Sequence, residues 1–125
     1  MILGLGVDVV AIERISRSLV EGEGRFEEQV FTEAERAACA GRADRAQALA
    51  ARFAAKEACF KALGTGLGQG VSFQQVEVVA GNGARPELRL NGAAAERARA
   101  LGVGHMHVTL SHDGAVAAAV VVLET

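Results

Sequence analysis

A chain of 125 residues, half of them hydrophobic, is long enough to enclose one core and too apolar to stay disordered. Lys and Arg number 13 against 15 Asp and Glu, a formal charge of −2, and there is no Trp or Tyr. That balance excludes a bulk nucleic-acid binder, which needs basic surface and aromatic stacking platforms.

Ile2 to Val10 is apolar, β-branched and carries two glycines, the pattern of a buried strand. From Ala11 to Val20, Ile12, Ile15 and Leu19 share one helical face, with Glu13, Arg14 and Arg17 elsewhere. Glu21 to Gly24 reads as a polar, flexible link. Thr32 followed by Glu35 forms a capping box, opening a helix through about Cys39. Gly41 to Arg45 is a charged connection. Gln47 to Leu63 is a long alanine-rich helix stopped by Gly64. Val71 to Ala80 and Glu87 to Leu90 read as strands, with Gly81-Asn82-Gly83 as the hairpin signal. A helix from Asn91 or Gly92 ends at Gly102. His105 to Ser111 and Ala115 to Leu123 form a second hairpin around Asp113-Gly114.

The order β-α-α-α-β-β-α-β-β predicts an α+β fold, a mainly antiparallel sheet packed against a long central helix. No repeat, linker or low-complexity tract divides it, so residues 1–125 read as a single domain. The apolar residues are mostly Ala, Val and Leu, and a core of small side chains buries little area per residue, which makes burial in an oligomer plausible. Cys39 and Cys59 stand apart in helical patterns, as reduced packing thiols of a cytoplasmic protein. Met1-Ile2-Leu3-Gly4 lacks the basic start of a signal peptide, and the longest apolar run, Ala115 to Leu123, is too short to span a bilayer. No membrane association is expected.

Candidate chemistry concentrates in a few places. Asp8 interrupts the first strand, where a carboxylate must be paired, hydrated or metal-bound; a strand-end Asp capping the next helix is the plainer reading. Gly4-Leu5-Gly6 is not a dinucleotide loop, because the third glycine position is Val9. Glu57 and Lys61 have the spacing of an ordinary surface pair, worth roughly 0.2–0.5 kcal/mol. Arg52 and Lys56, equally spaced, read as solvated. Phe53 and Phe60, however, put apolar bulk beside Glu57 and argue against a free surface. Gly64-Thr65-Gly66-Leu67-Gly68-Gln69-Gly70 is a helix cap and loop whose amides, with Lys61, could cradle a diphosphate. It follows its helix and so is no Walker loop. Ser111-His112-Asp113 cannot act as a triad, since consecutive strand residues face opposite ways. His105 and His107 share a strand face as core or ligand-facing residues, without a third zinc ligand. Arg14, Arg17 and Arg25 form either a solvated face or a basic patch.

Gly4-Leu5-Gly6-Val7-Asp8-Val9-Val10-Ala11-Ile12-Glu13-Arg14-Ile15 resembles the N-terminal signature of the holo-acyl-carrier-protein synthase family of 4′-phosphopantetheinyl transferases. Phe31-Thr32-Glu33-Ala34-Glu35 is similar to its Phe-Thr-x-x-Glu, and Arg52-Phe53-Ala54-Ala55-Lys56-Glu57-Ala58-Cys59-Phe60-Lys61-Ala62-Leu63-Gly64-Thr65-Gly66 to its longest motif. His107-Val108-Thr109-Leu110-Ser111-His112 resembles its late strand. The segments lie in order and span nearly the whole chain. One departure is the family's Gly-x-Pro turn, here Ala84-Arg85-Pro86 with glycines at 81 and 83.

The resemblance implies transfer of the phosphopantetheine arm of coenzyme A, the co-substrate, to a serine of apo acyl carrier protein, releasing adenosine 3′,5′-bisphosphate. It implies that Asp8 and Glu57 bind Mg2+ with the diphosphate, a donor set suited to a hard cation. Asp8, Glu57 and Lys61 are then the catalytic residues, Lys61 steadying the diphosphate or leaving group. Gly64, Thr65 and Gly66 contact it through the backbone, and Arg52, Arg85, His107 and Thr109 contact the nucleotide, with His112 a further candidate. The general base is left open, with Glu57 the first choice. By the same resemblance the protein is a homotrimer with sites between subunits, and its acidic carrier protein meets Arg14, Arg17 and Arg25. Two other readings compete: a non-catalytic coenzyme A or nucleotide-binding subunit, and a purely structural trimer.

Overall fold

The computed structural model describes residues 1–66, 69–80 and 85–125. Its elements are β1 (Ile2–Ala11), α1 (Ile12–Glu21), α2 (Arg25–Val30), α3 (Glu33–Cys39), α4 (Arg45–Leu63), a 3₁₀ turn (Phe73–Gln75), β2 (Val76–Ala80), β3 (Pro86–Leu90), α5 (Gly92–Leu101), β4 (His105–Asp113) and β5 (Val116–Glu124). The expected α+β class is borne out, with every strand pair antiparallel. β5 lies between β1 and β4 in a three-stranded sheet, and β2 and β3 form a separate ribbon. The expected turn at Gly81-Asn82-Gly83 lies outside the described residues, but Val76 opposite Leu90 and Ala80 opposite Pro86 fix the register of its arms.

α4 is the axis of the fold. Its alanines keep it thin, and it is buried on nearly every side, from Ala48 to Leu63. It lies against the inner face of the three-stranded sheet. Gly4, Gly6, Asp8 and Val10 share that face of β1 by strand alternation. A Cβ on Gly6 would stand 1.9 Å from the Ala58 carbonyl oxygen, and one on Gly4 2.1 Å from that of Ala62. Only glycine permits so close an approach, and the glycine spacing therefore sets the distance between β1 and α4. All five phenylalanines form one chain of ring contacts, from Phe31 through Phe26, Phe53 and Phe73 to Phe60, tying α2 and the 3₁₀ turn to α4.

The outer face of the sheet stays open. Leu5, Val7 and Val9 are exposed there, beside half-buried Val122, Val120 and Ala118 and then His107, Thr109 and Ser111. No helix among the described residues is long and apolar enough to cross a membrane.

Several local expectations change. α2 is a fourth helix ahead of the ribbon: six residues between glycine-rich and aromatic neighbours carry little periodicity, although Phe26 and Val30 have helical spacing. Gly22 to Gly24 is a hydrogen-bonded turn, with the Arg25 amide donating to the Gly22 carbonyl at 2.9 Å. The strand expected from Val71 begins only at Val76, because the 3₁₀ turn carries Phe73 into the aromatic row. Thr32 caps α3 with Glu35 as the reciprocal partner, as its spacing predicts. Lys56, expected in solvent, is fully buried.

Candidate active site

Asp8 is not a helix cap. α1 begins after Ala11, which makes no side-chain cap bond, and Asp8 sits inside β1 on the α4 side. Lys61 arrives from α4, its Nζ donating to Asp8 Oδ1 at 3.2 Å and to the Val7 carbonyl at 2.9 Å. The helical neighbours Glu57 and Lys61 therefore do not form the ion pair that their spacing suggests, because Lys61 turns to the strand. Glu57 is half-buried beside them. Burial is the main force raising its carboxyl above the ordinary range; the Asp8 charge adds to this, and Lys61 and Arg14 oppose it.

This trio suits a hard divalent cation. Two carboxylates share a partly desolvated place, and the Asp8 charge disfavours the ionised form of Glu57. Among the described residues no group of three or more His, Cys, Asp or Glu converges to hold an ion without help. Mg2+ commonly takes only one or two protein carboxylates and completes its shell with phosphate and water oxygens. Asp8 and Glu57 fit that donor pattern, with Lys61 left over for a phosphate oxygen.

At the end of α4, Gly64 adopts a left-handed conformation with φ 71°, and the Thr65 amide returns to the Phe60 carbonyl at 3.0 Å. Gly64 and Thr65 line a cavity of about 340 Å³ with Gln69, Val71, Ala93 and Arg97. Gly66 donates its amide to Gln69 Oε1 at 3.3 Å. Arg97 fastens this end of α4 by donating from Nε to the Leu63 carbonyl at 3.0 Å.

Arg52 lies elsewhere. It lines a cleft of about 190 Å³ between α4, the β2–β3 ribbon and β4, together with Arg42 and His112. One Arg52 nitrogen donates to the Ala48 carbonyl at 3.2 Å, but its Nε is buried without a partner. An orphaned buried donor is costly and points to a ligand or solvent acceptor in that cleft. Arg42, which also holds Asp44 at 2.8 and 2.9 Å, had been only part of a charged connection in sequence; nothing in its spacing marks it. Arg85 and His107 meet across a second cavity, of about 380 Å³, between β3 and β4. His107 Nε2 lies 2.7 Å from Glu124 Oε1, and this contact holds the Glu124 carboxyl below its ordinary range. His105 and His107 are exposed, so neither is a core histidine.

Strand alternation divides these residues. Asp8 faces α4, opposite buried Ala119, whereas Thr109 and His107 pair with Val120 and Val122 on the open outer face. Within one chain the carboxylates and these two side chains lie on opposite sides of the sheet. Arg14 stands over the Phe53 ring, 5.8 Å from its centroid, while Arg17 pairs with Glu13 at 2.9 Å; both, with Arg25, are exposed.

The family model of the 4′-phosphopantetheinyl transferase superfamily matches residues 4–121. The holo-acyl-carrier-protein synthase of Anaeromyxobacter dehalogenans (strain 2CP-C) is 54% identical over 127 residues, covering 99% of this chain and 97% of the relative. A holo-acyl-carrier-protein synthase structure from Neisseria meningitidis superposes with a TM-score of 0.90 at 30% identity, covering both chains fully. One from Bacillus anthracis, in complex with coenzyme A (3′,5′-ADP), gives a TM-score of 0.82 at 35% identity, covering 100% of this chain and 98% of the other.

Proposed function

The chain belongs to the 4′-phosphopantetheinyl transferase superfamily, and from that premise we propose that it is a Mg2+-dependent holo-acyl-carrier-protein synthase. It transfers the phosphopantetheine arm of coenzyme A to a serine of apo acyl carrier protein and releases adenosine 3′,5′-bisphosphate. The observation that carries the site assignment is the shared inner face of Gly4, Gly6 and Asp8. The two glycines let α4 come close enough for Asp8 to meet Lys61 beside Glu57.

In this reading Asp8 and Glu57 hold Mg2+ together with diphosphate oxygens. The ion, when bound, offsets charge developing on the diphosphate during transfer. Lys61, already aimed at this place, binds the departing bisphosphate oxygen. Gly64, Thr65 and Gly66 border the diphosphate; with the Gly64 and Thr65 amides held by the Lys61 and Phe60 carbonyls, the Gly66 amide, on exchanging Gln69 Oε1 for a phosphate oxygen, is the one that orients it. Glu57, the half-buried carboxylate beside the reacting diphosphate, takes the serine proton. The serine oxygen then bonds to the arm's phosphorus as the bond to the bridging oxygen breaks.

Arg52, Arg42 and His112 suit the anionic nucleotide end, which would satisfy the orphaned Arg52 Nε. Arg85, His107 and Thr109 contribute from the β3–β4 side. Their separation from Asp8 favours a homotrimer in which neighbouring chains complete each site, with the open apolar sheet face as the contact. Exposed Arg14, Arg17 and Arg25 receive the acidic carrier. The same reading puts the enzyme in the cytoplasm, in fatty-acid or polyketide assembly, where buried Cys39 and Cys59 stay reduced.

Intact-mass analysis of apo carrier protein after incubation with coenzyme A and the purified chain tests this. The arm's mass should be added with Mg2+ and not after chelation. No mass gain with a folded enzyme and a competent carrier overturns the reading, and Mg2+-independent coenzyme A binding without product would instead indicate a non-catalytic binding subunit.

A further inference from the structure

The charged pair Lys56 and Glu35 takes no part in the chemistry above, yet it is the most deeply buried one in the fold's described salt bridges, with both side chains 0% exposed. Lys56 Nζ lies 2.7 Å from Glu35 Oε1 and donates to the Phe73 carbonyl at 3.0 Å and to the Val76 carbonyl. An ammonium has three N–H donors, so its capacity is filled. Glu35 is equally occupied: Oε1 accepts from the Thr32 amide at 2.9 Å, and Oε2 accepts from the Val78 amide at 2.8 Å. Breaking such a pair leaves a buried charge without compensation, whereas an apolar pair of the same shape would often pack as well. Stability alone is therefore a weak reason for its presence.

The partners suggest another reason. Among the described strands β2 pairs with β3 alone. The Val76 carbonyl and Val78 amide are taken instead by the two side chains, Lys56 from α4 and Glu35 from α3. The ion pair thus occupies the place of a missing strand and docks the ribbon onto α4. The docked ribbon, through Val78 to Ala80 and Pro86, is one wall of the Arg52 cleft, and Arg52 lies one turn before Lys56 on the opposing wall.

We propose that Lys56 and Glu35 are positioning residues for the nucleotide end of coenzyme A, holding the β2–β3 ribbon at the separation from α4 that the cleft requires. This rests on the transferase reading and on the assignment of the Arg52 cleft to the nucleotide. It separates two duties of adjacent residues: Glu57 faces the reacting diphosphate, and Lys56 faces inward to shape the nucleotide cleft.

Lys56→Met tests the proposal, with adenosine 3′,5′-bisphosphate as the calorimetric probe and coenzyme A as the varied substrate. The Kd for the bisphosphate and the KM for coenzyme A should both rise about tenfold or more, while kcat at saturation stays within about threefold. A merely structural role would reduce the folded fraction, lowering apparent kcat with KM unchanged, and that result overturns the proposal. So does wild-type bisphosphate affinity in the variant. Should Lys56→Met fail to fold, amide exchange in the wild-type chain decides: the bisphosphate should slow exchange from Val76 to Val79, and unchanged exchange along β2 refutes the proposal. If the wild-type chain itself binds no bisphosphate, the cleft assignment falls and this inference with it. If the wild type binds it and Lys56→Met binds it equally well, only the positioning role falls.

Discussion

Glu57 carries two opposing demands. Burial and the neighbouring Asp8 hinder its ionisation in the folded chain, while the proposed chemistry needs an anionic carboxylate. The unfolded chain has no such hindrance. A carboxyl raised on folding contributes stability that is present below the unfolded value of 4.5 and lost as pH rises through the folded one. Without metal, Glu57→Gln should therefore melt higher than wild type at pH 7, and the difference should close below about pH 4. Calorimetry at the two pH values checks both sign and window. The same substitution, and Asp8→Asn, should lower turnover by about 10²–10³-fold with Mg2+ present. A near-wild-type rate in either would remove that carboxylate from the proposed metal site. The residue types were legible in sequence because an Asp inside an apolar strand and a Glu between phenylalanines both need a reason. Their partners were not. Helical spacing puts Lys61 within reach of Glu57 but says nothing of the strand that arrives beside both. Lys56 shows the same limit more sharply, since spacing along α4 could not reveal the Glu35 carboxylate that permits its burial.

At the scale of elements, β1 and α4 act as one unit whose spacing is set by missing side chains. Gly6→Ala places a methyl carbon 1.9 Å from the Ala58 carbonyl oxygen, and backbone on one side or the other must shift. The expected cost is about 1–3 kcal/mol, the usual range for overpacking. Turnover should fall further than stability does, because the displaced strand carries Asp8 away from Lys61. Chemical denaturation alongside Mg2+-dependent rates would check this; a variant of lower stability with unchanged rate would uncouple the glycines from the site. Long periodic segments were readable because burial of α4 and alternation in β4 and β5 repeat the same signal many times. α2 was missed because six residues repeat it barely once. The 3₁₀ turn reads as strand in sequence because Val71 and Phe73 alternate with polar residues, whereas Phe73 is apolar for aromatic packing rather than for pairing.

At the scale of the whole molecule, the opposed faces of the sheet make a specific statement about assembly. Chains carrying Glu57→Gln and chains carrying His107→Ala, each impaired alone, should regain activity when unfolded together and refolded. Random mixing in a cyclic trimer gives about a quarter of the sites an intact set from two neighbours. Activity no greater than the sum of the parents would put each site within a single chain. The small-residue composition hinted at assembly, but only the register shows which strand residues lie on the uncovered side.

That uncovered side, with Leu5, Val7 and Val9 in water, ties folding to abundance. If the proposed trimer covers that face, copies of the same chain contribute to stability by mass action, and the fold is firmest where the protein is plentiful. In such a trimer dilution would act as an off-switch without any ligand, separating chains and dividing each reaction centre along with them. A newly made copy has the opposite problem: until it meets another, it presents an adhesive apolar face to every other nascent chain nearby.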